Sequence, residues 1–210
     1  MLEAVLPPGV AWHEAFGDPP GADLHPDEEA MLGHVVPRRR AEFATARWCA
    51  RQALSSFGHG SAPVLRGPKR EPVWPKGIVG SLTHCDGYRG AAVATDDVAV
   101  SIGIDAEPDE PTPEGVLGVV SLPEERVVIA ALTADDPSVA WDRLLFSAKE
   151  SVYKAWFPIT GRWLGFEDAH VTFDEGGFTA RILIDSPLPA FRGRWVARGG
   201  LIVTSVVVQA

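Results

Sequence analysis

No run of apolar residues in this 210-residue chain approaches the ~18 needed to cross a bilayer. The first 21 residues mix acidic, proline and glycine positions where a secretory leader would need a basic start and an apolar centre. A cytoplasmic protein without membrane contact is therefore expected. Cysteine is scarce. Cys49 and Cys85 are too few for a disulfide framework and lack metal-type spacing, so both are expected to serve as small apolar residues. Positive charge is also short: 19 Lys and Arg against 28 Asp and Glu leave a formal charge of −9. Phosphate backbones are held by an excess of cations, so a general nucleic-acid binder is excluded. Any anion this chain holds must be caught by a local basic patch.

What is present is an apolar fraction of 46%, enough to bury a core in one large domain or two small ones. The clearest periodicity lies late in the chain. Trp141, Leu144, Leu145, Ala148, Val152, Ala155 and Trp156 recur at three- and four-residue spacing, which predicts a helix with a wide apolar face. Asp136-Pro137 is expected to start it and Pro158 to stop it. Glu150 and Lys154 lie four apart on another face, either as a surface ion pair or as two groups acting on one ligand.

Residues 1–25 carry four prolines and little periodicity, so extended wrapping segments are expected there. Pro26 opens a short helix, and a second should run from Pro37 to about Phe57, ended by Gly58. This second helix carries Arg38, Arg39, Arg40, Arg47 and Arg51. Spacing puts Arg40, Arg47 and Arg51 on one face, as a solvated surface or as a phosphate clamp. Ser61–Lys76 reads as a Pro- and Gly-rich loop with Arg66, Lys69 and Arg70. Ile78–His84, Tyr88–Ala94 and Val98–Ile104 read as strands of an antiparallel meander with Asp86-Gly87 and Asp96-Asp97 at the reversals. His84 ends the first of them, as a structural residue or a ligand.

The third strand runs into Asp105-Ala-Glu107. Side chains two apart on a strand point the same way, so two carboxylates meet at its end, an arrangement favoured when a cation lies between them. Hard oxygen donors suit Mg²⁺, with Glu150 as a third ligand; ordinary turn solvation is the competing explanation. A helix at Pro123–Leu132 and strands at Ala169–Phe173, Phe178–Ile184, Arg194–Arg198 and Leu201–Val208 complete the chain. Helix followed by antiparallel strands thus occurs twice, which suggests two pseudo-symmetric halves with a site at their seam.

Gly103-Ile-Asp-Ala-Glu107 and Phe146-Ser-Ala-Lys-Glu-Ser-Val-Tyr-Lys-Ala155, with the acidic motifs 45 residues apart, resemble the 4′-phosphopantetheinyl transferases of the Sfp/EntD type, close to their actinobacterial branch. Ser81-Leu-Thr-His84, the Arg39, Arg40 and Arg47 helix, and Glu71-Pro-Val-Trp-Pro75 fit the same family. The resemblance covers the whole chain. It implies an α+β monomer of two pseudo-symmetric halves, each a long helix packed on a small antiparallel sheet. Residues 1–107 would carry the nucleotide-binding helix and first sheet, and 108–210 the metal and catalytic helix and second sheet. The implied reaction moves the phosphopantetheine arm of coenzyme A to a serine of acyl or peptidyl carrier proteins of polyketide and nonribosomal-peptide synthases, releasing adenosine 3′,5′-bisphosphate.

Carried over residue by residue, Asp105, Glu107 and Glu150 would hold Mg²⁺, with Mn²⁺ the other ion to consider, and Glu150 would also be the base. Lys154 would assist the leaving phosphate and Lys149 would lie beside the pyrophosphate. Arg39, Arg47, Arg66 and His84 would hold the nucleotide end. The resemblance selects Arg39, whereas helical spacing favours Arg40. Ala106 departs from members with a bulkier residue between the two acids, which leaves metal number and identity open. Carrier proteins are themselves acidic, so an apolar or basic patch would have to recognise them, and Pro111–Ser121 is the segment expected to supply it. Two other functions use the same residues: a metal-dependent phosphohydrolase of coenzyme A or a nucleotide, and a non-catalytic coenzyme A-binding regulator.

Overall fold

A computed structural model describes all 210 residues. Its N-terminal part contains α1 (Leu2–Val5), β1 (Ala11–Phe16), α2 (Pro26–Leu32), α3 (Pro37–Ser55), a two-residue hairpin of β2 (Leu65–Arg66) and β3 (Pro72–Val73), and β4 (Ile78–Cys85) joined to β5 (Tyr88–Thr95). Pro26 and Pro37 each occupy the first turn of their helix, where the missing N–H costs nothing. The β4–β5 hairpin closes on Asp86-Gly87, with Gly87 at φ 71° as a two-residue turn requires. Helix α3 lays Cys49, Ala50, Ala53 and Leu54 on Ala91 and Val93 of β5. Small side chains there let the helix sit close to the sheet.

Two expectations for this part are corrected. Residues 1–25 are not merely wrapping segments: β1 pairs antiparallel with β5, from Ala11 opposite Val93 to Phe16 opposite Tyr88. Leu2, Val5, Leu6 and Val10 are buried in one core with Tyr88 and Ala92 of β5, and Glu14 accepts hydrogen bonds from Leu2 N and the Tyr88 hydroxyl. A four-residue helix and a lone edge strand leave too short a pattern to read. Nor is there a three-strand meander. The next strand, β6 (Ala99–Pro108), does not pair with β5; the first sheet has the order β1-β5-β4.

The C-terminal part continues with α4 (Val116–Val120), α5 (Pro123–Asp135), α6 (Trp141–Thr160), β7 (Ala169–Asp174), β8 (Gly177–Ile182), β9 (Ala190–Arg198) and β10 (Leu201–Gln209). The second sheet has the order β6-β10-β9-β8-β7 and is antiparallel throughout. By pairing, therefore, β6 belongs to the second sheet, and the division expected at residue 107 falls before it. Helix α6 packs Leu144, Leu145, Ala148, Val152, Ala155 and Trp156 against Phe178, Ala180, Phe191, Ile202 and Val206. The fold is α+β, with one long helix on each antiparallel sheet.

Both ends of α6 differ from the sequence expectation. Asp136 Oδ1 is taken by Ser138, through its N–H at 3.0 Å and its hydroxyl, which makes a local turn. The free N–H of Ala140 is met by Asp109 from the loop after β6, 2.9 Å away, so the helix starts at Trp141. Pro158 lies inside the last turn, and Gly161 at φ 63° ends the helix.

Side-chain hydroxyls join the two sheets. Ser81 Oγ of β4 accepts from Ile104 N of β6 at 3.1 Å, and Thr83 Oγ1 accepts from Ala106 N at 2.8 Å. Two buried β6 amides are thus satisfied without a backbone ladder, which holds β4 and β6 side by side as the two halves meet.

Candidate active site

Helix α6 crosses β6 at Gly103. A Cβ at this position would run into the Ser151 carbonyl oxygen and crowd Ala155 N, both of them backbone. Ser101, two residues earlier on the same face, donates its hydroxyl to Ala155 O at 2.8 Å. Absence of a side chain at residue 103 therefore lets helix and strand touch and brings Lys154 onto the strand end. Its Nζ donates to Ile104 O at 3.0 Å and to Asp105 Oδ1 at 2.7 Å.

Asp105 is buried, and its second oxygen, Oδ2, has no hydrogen-bond partner. Glu107 accepts from Arg143 Nη1 at 3.0 Å. Burial raises the Glu107 carboxyl above the usual range, and Asp105 adds to the rise. The Glu150 carboxyl is likewise raised by burial; Lys154 opposes that shift and Asp105 reinforces it. Glu107 and Glu150 thus each feel the charge of Asp105. The three acids do not stand as a closed triad, because no group of three or more His, Cys, Asp and Glu side chains is close enough to hold a metal ion. Like charges repel, and two of the acids are matched here to cations, Asp105 to Lys154 and Glu107 to Arg143. The donor set nevertheless fits a hard cation: carboxylate oxygens only, one of them buried and unpartnered.

The basic end lies across the seam on α3. Arg39 Nη1 approaches His84 Nε2 at 2.6 Å. A guanidinium can only donate, so Nε2 accepts and the imidazole is neutral. Burial lowers the His84 pKa, and Arg39 lowers it further. Arg47 donates Nε to Val64 O at 3.0 Å, which leaves both terminal nitrogens for other partners, and its guanidinium lies 3.3 Å from the centre of the Phe43 ring. Arg66 approaches the same ring at 5.2 Å. Burial pulls the Arg47 pKa down to about 9, with Glu28 opposing and Arg66, Arg39 and Arg51 adding to the fall. Crowded guanidiniums of this kind suit an incoming polyanion.

The expected face of Arg40, Arg47 and Arg51 is corrected. Arg40 pairs with Glu29, and Arg51 pairs with the fully buried Glu28 at 2.5 Å and with Asp23 O. Arg39 takes the inward place instead. Phe43 and Glu28 went unmarked in the sequence. Phe43 precedes Arg47 by one helical turn, a signal that could have found it, whereas the reach of Glu28 to Val64 N, at 2.8 Å, is visible only in the fold.

One cleft of about 970 Å³ connects these ends. Arg39, Arg47 and Arg66 line one end, Glu150 and Lys154 the other, and His84 lies in the wall between them. Lys69 and Arg70 of the β2–β3 turn also face it. Lys149 does not. Its Nζ is buried on another side of α6, 2.7 Å from Glu125 and 2.8 Å from Phe166 O, so the place expected for it beside a pyrophosphate is not where the fold puts it. Lys149 and Glu150 share only a smaller pocket of about 100 Å³ on that side of the helix, beside Phe166.

A two-part α+β protein whose cleft joins guanidiniums to Glu150 and Lys154, with Asp105 and Glu107 outside its lining, is the class that fold and site define. The chain matches two domain profiles: the 4′-phosphopantetheinyl transferase N-terminal domain over residues 27–94, and the 4′-phosphopantetheinyl transferase superfamily over residues 101–204. It is 48% identical over 229 residues to the 4′-phosphopantetheinyl transferase PptT of Mycobacterium tuberculosis, spanning 99% of this chain and 98% of that one. It is 50% identical to Svp of Streptomyces mobaraensis, covering 100% and 90%, and 46% identical to Npt of Nocardia iowensis, covering 98% and 99%; both are 4′-phosphopantetheinyl transferases. This chain belongs to the 4′-phosphopantetheinyl transferase family and is an enzyme that transfers the phosphopantetheine moiety of coenzyme A to carrier proteins.

Proposed function

We propose that coenzyme A lies along the cleft with its 3′-phosphate among Arg39, Arg47, Arg66 and His84 and its pyrophosphate toward Lys154. The reading is carried by one observation: a single cleft joins the crowded guanidiniums of α3 to the Glu150 and Lys154 face of α6. Asp105, Glu107 and Glu150 would hold Mg²⁺, or Mn²⁺, and the unpartnered Asp105 Oδ2 supports this assignment. When bound, the ion supplies positive charge against the pyrophosphate and the departing phosphate.

Glu150 takes the proton of the carrier serine hydroxyl. The serine oxygen then bonds to the phosphorus bearing the pantetheine arm, and the bond from that phosphorus to the bridging oxygen breaks. Adenosine 3′,5′-bisphosphate leaves with the electron pair, held by Lys154. A carboxyl raised by burial is a better base than an exposed one. We assign the carriers to acyl and peptidyl carrier domains of polyketide and nonribosomal-peptide synthases, the enzyme to secondary metabolism in the cytoplasm, and its working state to a monomer. No helix is long and apolar enough to cross a membrane.

Calorimetric titration tests the orientation. Coenzyme A should bind the wild type at least about tenfold more tightly than dephospho-coenzyme A, and Arg47→Ala should erase that difference. Equal losses for both ligands would move the 3′-phosphate away from Arg47.

A further inference from the structure

The first turn of α6 grips the loop that follows Glu107. Arg143 spends three nitrogens on three partners: Nε on Glu110 O, Nη2 on Pro111 O and Nη1 on Glu107 Oε2, each at 3.0 Å. Beside it, Asp142 Oδ2 accepts from Thr112 N at 2.7 Å and from the Thr112 hydroxyl at 2.6 Å. The two carbonyl contacts fix the guanidinium plane against the loop, so the two N–H directions of the remaining nitrogen are fixed with it. Glu107 is the carboxylate it meets, and both side chains are largely buried. One glutamate oxygen is thereby tied and the other left without an Arg143 contact.

We propose that Arg143 is the positioning residue of Glu107: by pinning Oε2 from a guanidinium anchored on the Glu110 and Pro111 carbonyls, it sets how tightly the carboxylate site holds a divalent cation. The inference rests on the assignment of Glu107 as a ligand and extends it to a residue outside both acidic motifs. Ligating carboxylates are generally oriented by hydrogen bonds from a surrounding shell, whose loss weakens metal affinity by about 10- to 100-fold. Lysine would keep the charge at this position but cannot hold two carbonyls and a carboxylate in one plane.

The test is Mn²⁺ binding to the full chain, followed by electron paramagnetic resonance of the free ion, without substrate. Arg143→Ala should weaken Mn²⁺ about tenfold, and Arg143→Lys should recover part of that loss. In a Glu107→Gln background, Arg143→Ala should add no further loss, because its effect runs through that carboxylate. Asp142→Ala loosens the same loop through Thr112 without touching Glu107. It should lower the melting temperature and leave Mn²⁺ affinity unchanged, which separates positioning from simple stitching of the loop. If Glu107→Gln weakens Mn²⁺ while Arg143→Ala and Arg143→Lys do not, the inference is overturned and the metal assignment stands. Additive losses in the double variant would also overturn it. If Glu107→Gln leaves Mn²⁺ binding unchanged, the metal assignment of Glu107 fails and the inference with it.

Discussion

Lys154 Nζ lies 2.7 Å from Asp105 Oδ1, an ion pair between the helix and the strand that carry the two acidic motifs. The aspartate is buried and the lysine partly exposed. Removing the cation alone therefore strands a buried carboxylate. Lys154→Met should cost about 1–3 kcal/mol of stability. In a chain of this size about 1 kcal/mol corresponds to roughly 2–4 °C. Adding Asp105→Asn should return most of the lost melting temperature and none of the lost turnover. A double variant as unstable as Lys154→Met would show that the pair is not the source of the effect.

His84 offers a pH dependence with a definite sign. Its pKa is held below the ordinary value of 6.5, first by burial and then by Arg39, so the folded protein binds fewer protons here than the unfolded chain does. Stability from this group is therefore full above about pH 6.5 and is lost as pH falls from there through the depressed folded value. Protonation would also break the bond that Arg39 donates to Nε2. The His84 ring resonances should titrate with a midpoint below 6.5, and His84→Gln should flatten the acid side of the stability curve below about pH 6.5. A midpoint above 6.5 would contradict the neutral ring.

Much of the site was legible because local patterns carry it. The apolar spacing of α6 is set by its own period, and Asp105 and Glu107 share a side because strand side chains alternate. What escaped depends on distant partners. The start of α6 moved to Trp141 because Asp109 caps it from another segment. The meander failed because β1 takes the free edge of β5, while Ser81 and Thr83 hydroxyls on β4 meet two β6 amides. Arg40 and Arg51 left the expected face because Glu29 and Glu28 of α2 hold them. The role of Lys149 was carried over from a motif, and a motif fixes residue order without fixing which way a helical side chain turns.

Gly103 makes a sharper demand than its place in a motif suggests. Its φ is not positive, so the requirement is space, which the backbone of α6 fills. Gly103→Ala must push Ser151 and Ala155 off the strand and carry Lys154 away from Asp105. Overpacking of this kind costs about 1–3 kcal/mol or more. The variant should melt at least about 2 °C lower and lose activity, as read by thermal unfolding and turnover. An alanine variant with wild-type melting and turnover would contradict the close approach.

Intact mass of an apo acyl carrier protein, after incubation with this enzyme, coenzyme A and Mg²⁺, tests the central claim most directly. The account predicts a gain of about 340 Da on the carrier, one phosphopantetheine arm, that chelator abolishes. Glu150→Gln should lower the rate of that gain by about 10²-fold or more while coenzyme A still binds. A gain that persists with chelator would contradict the metal role of the carboxylates, and a normal rate in Glu150→Gln would contradict the assigned base.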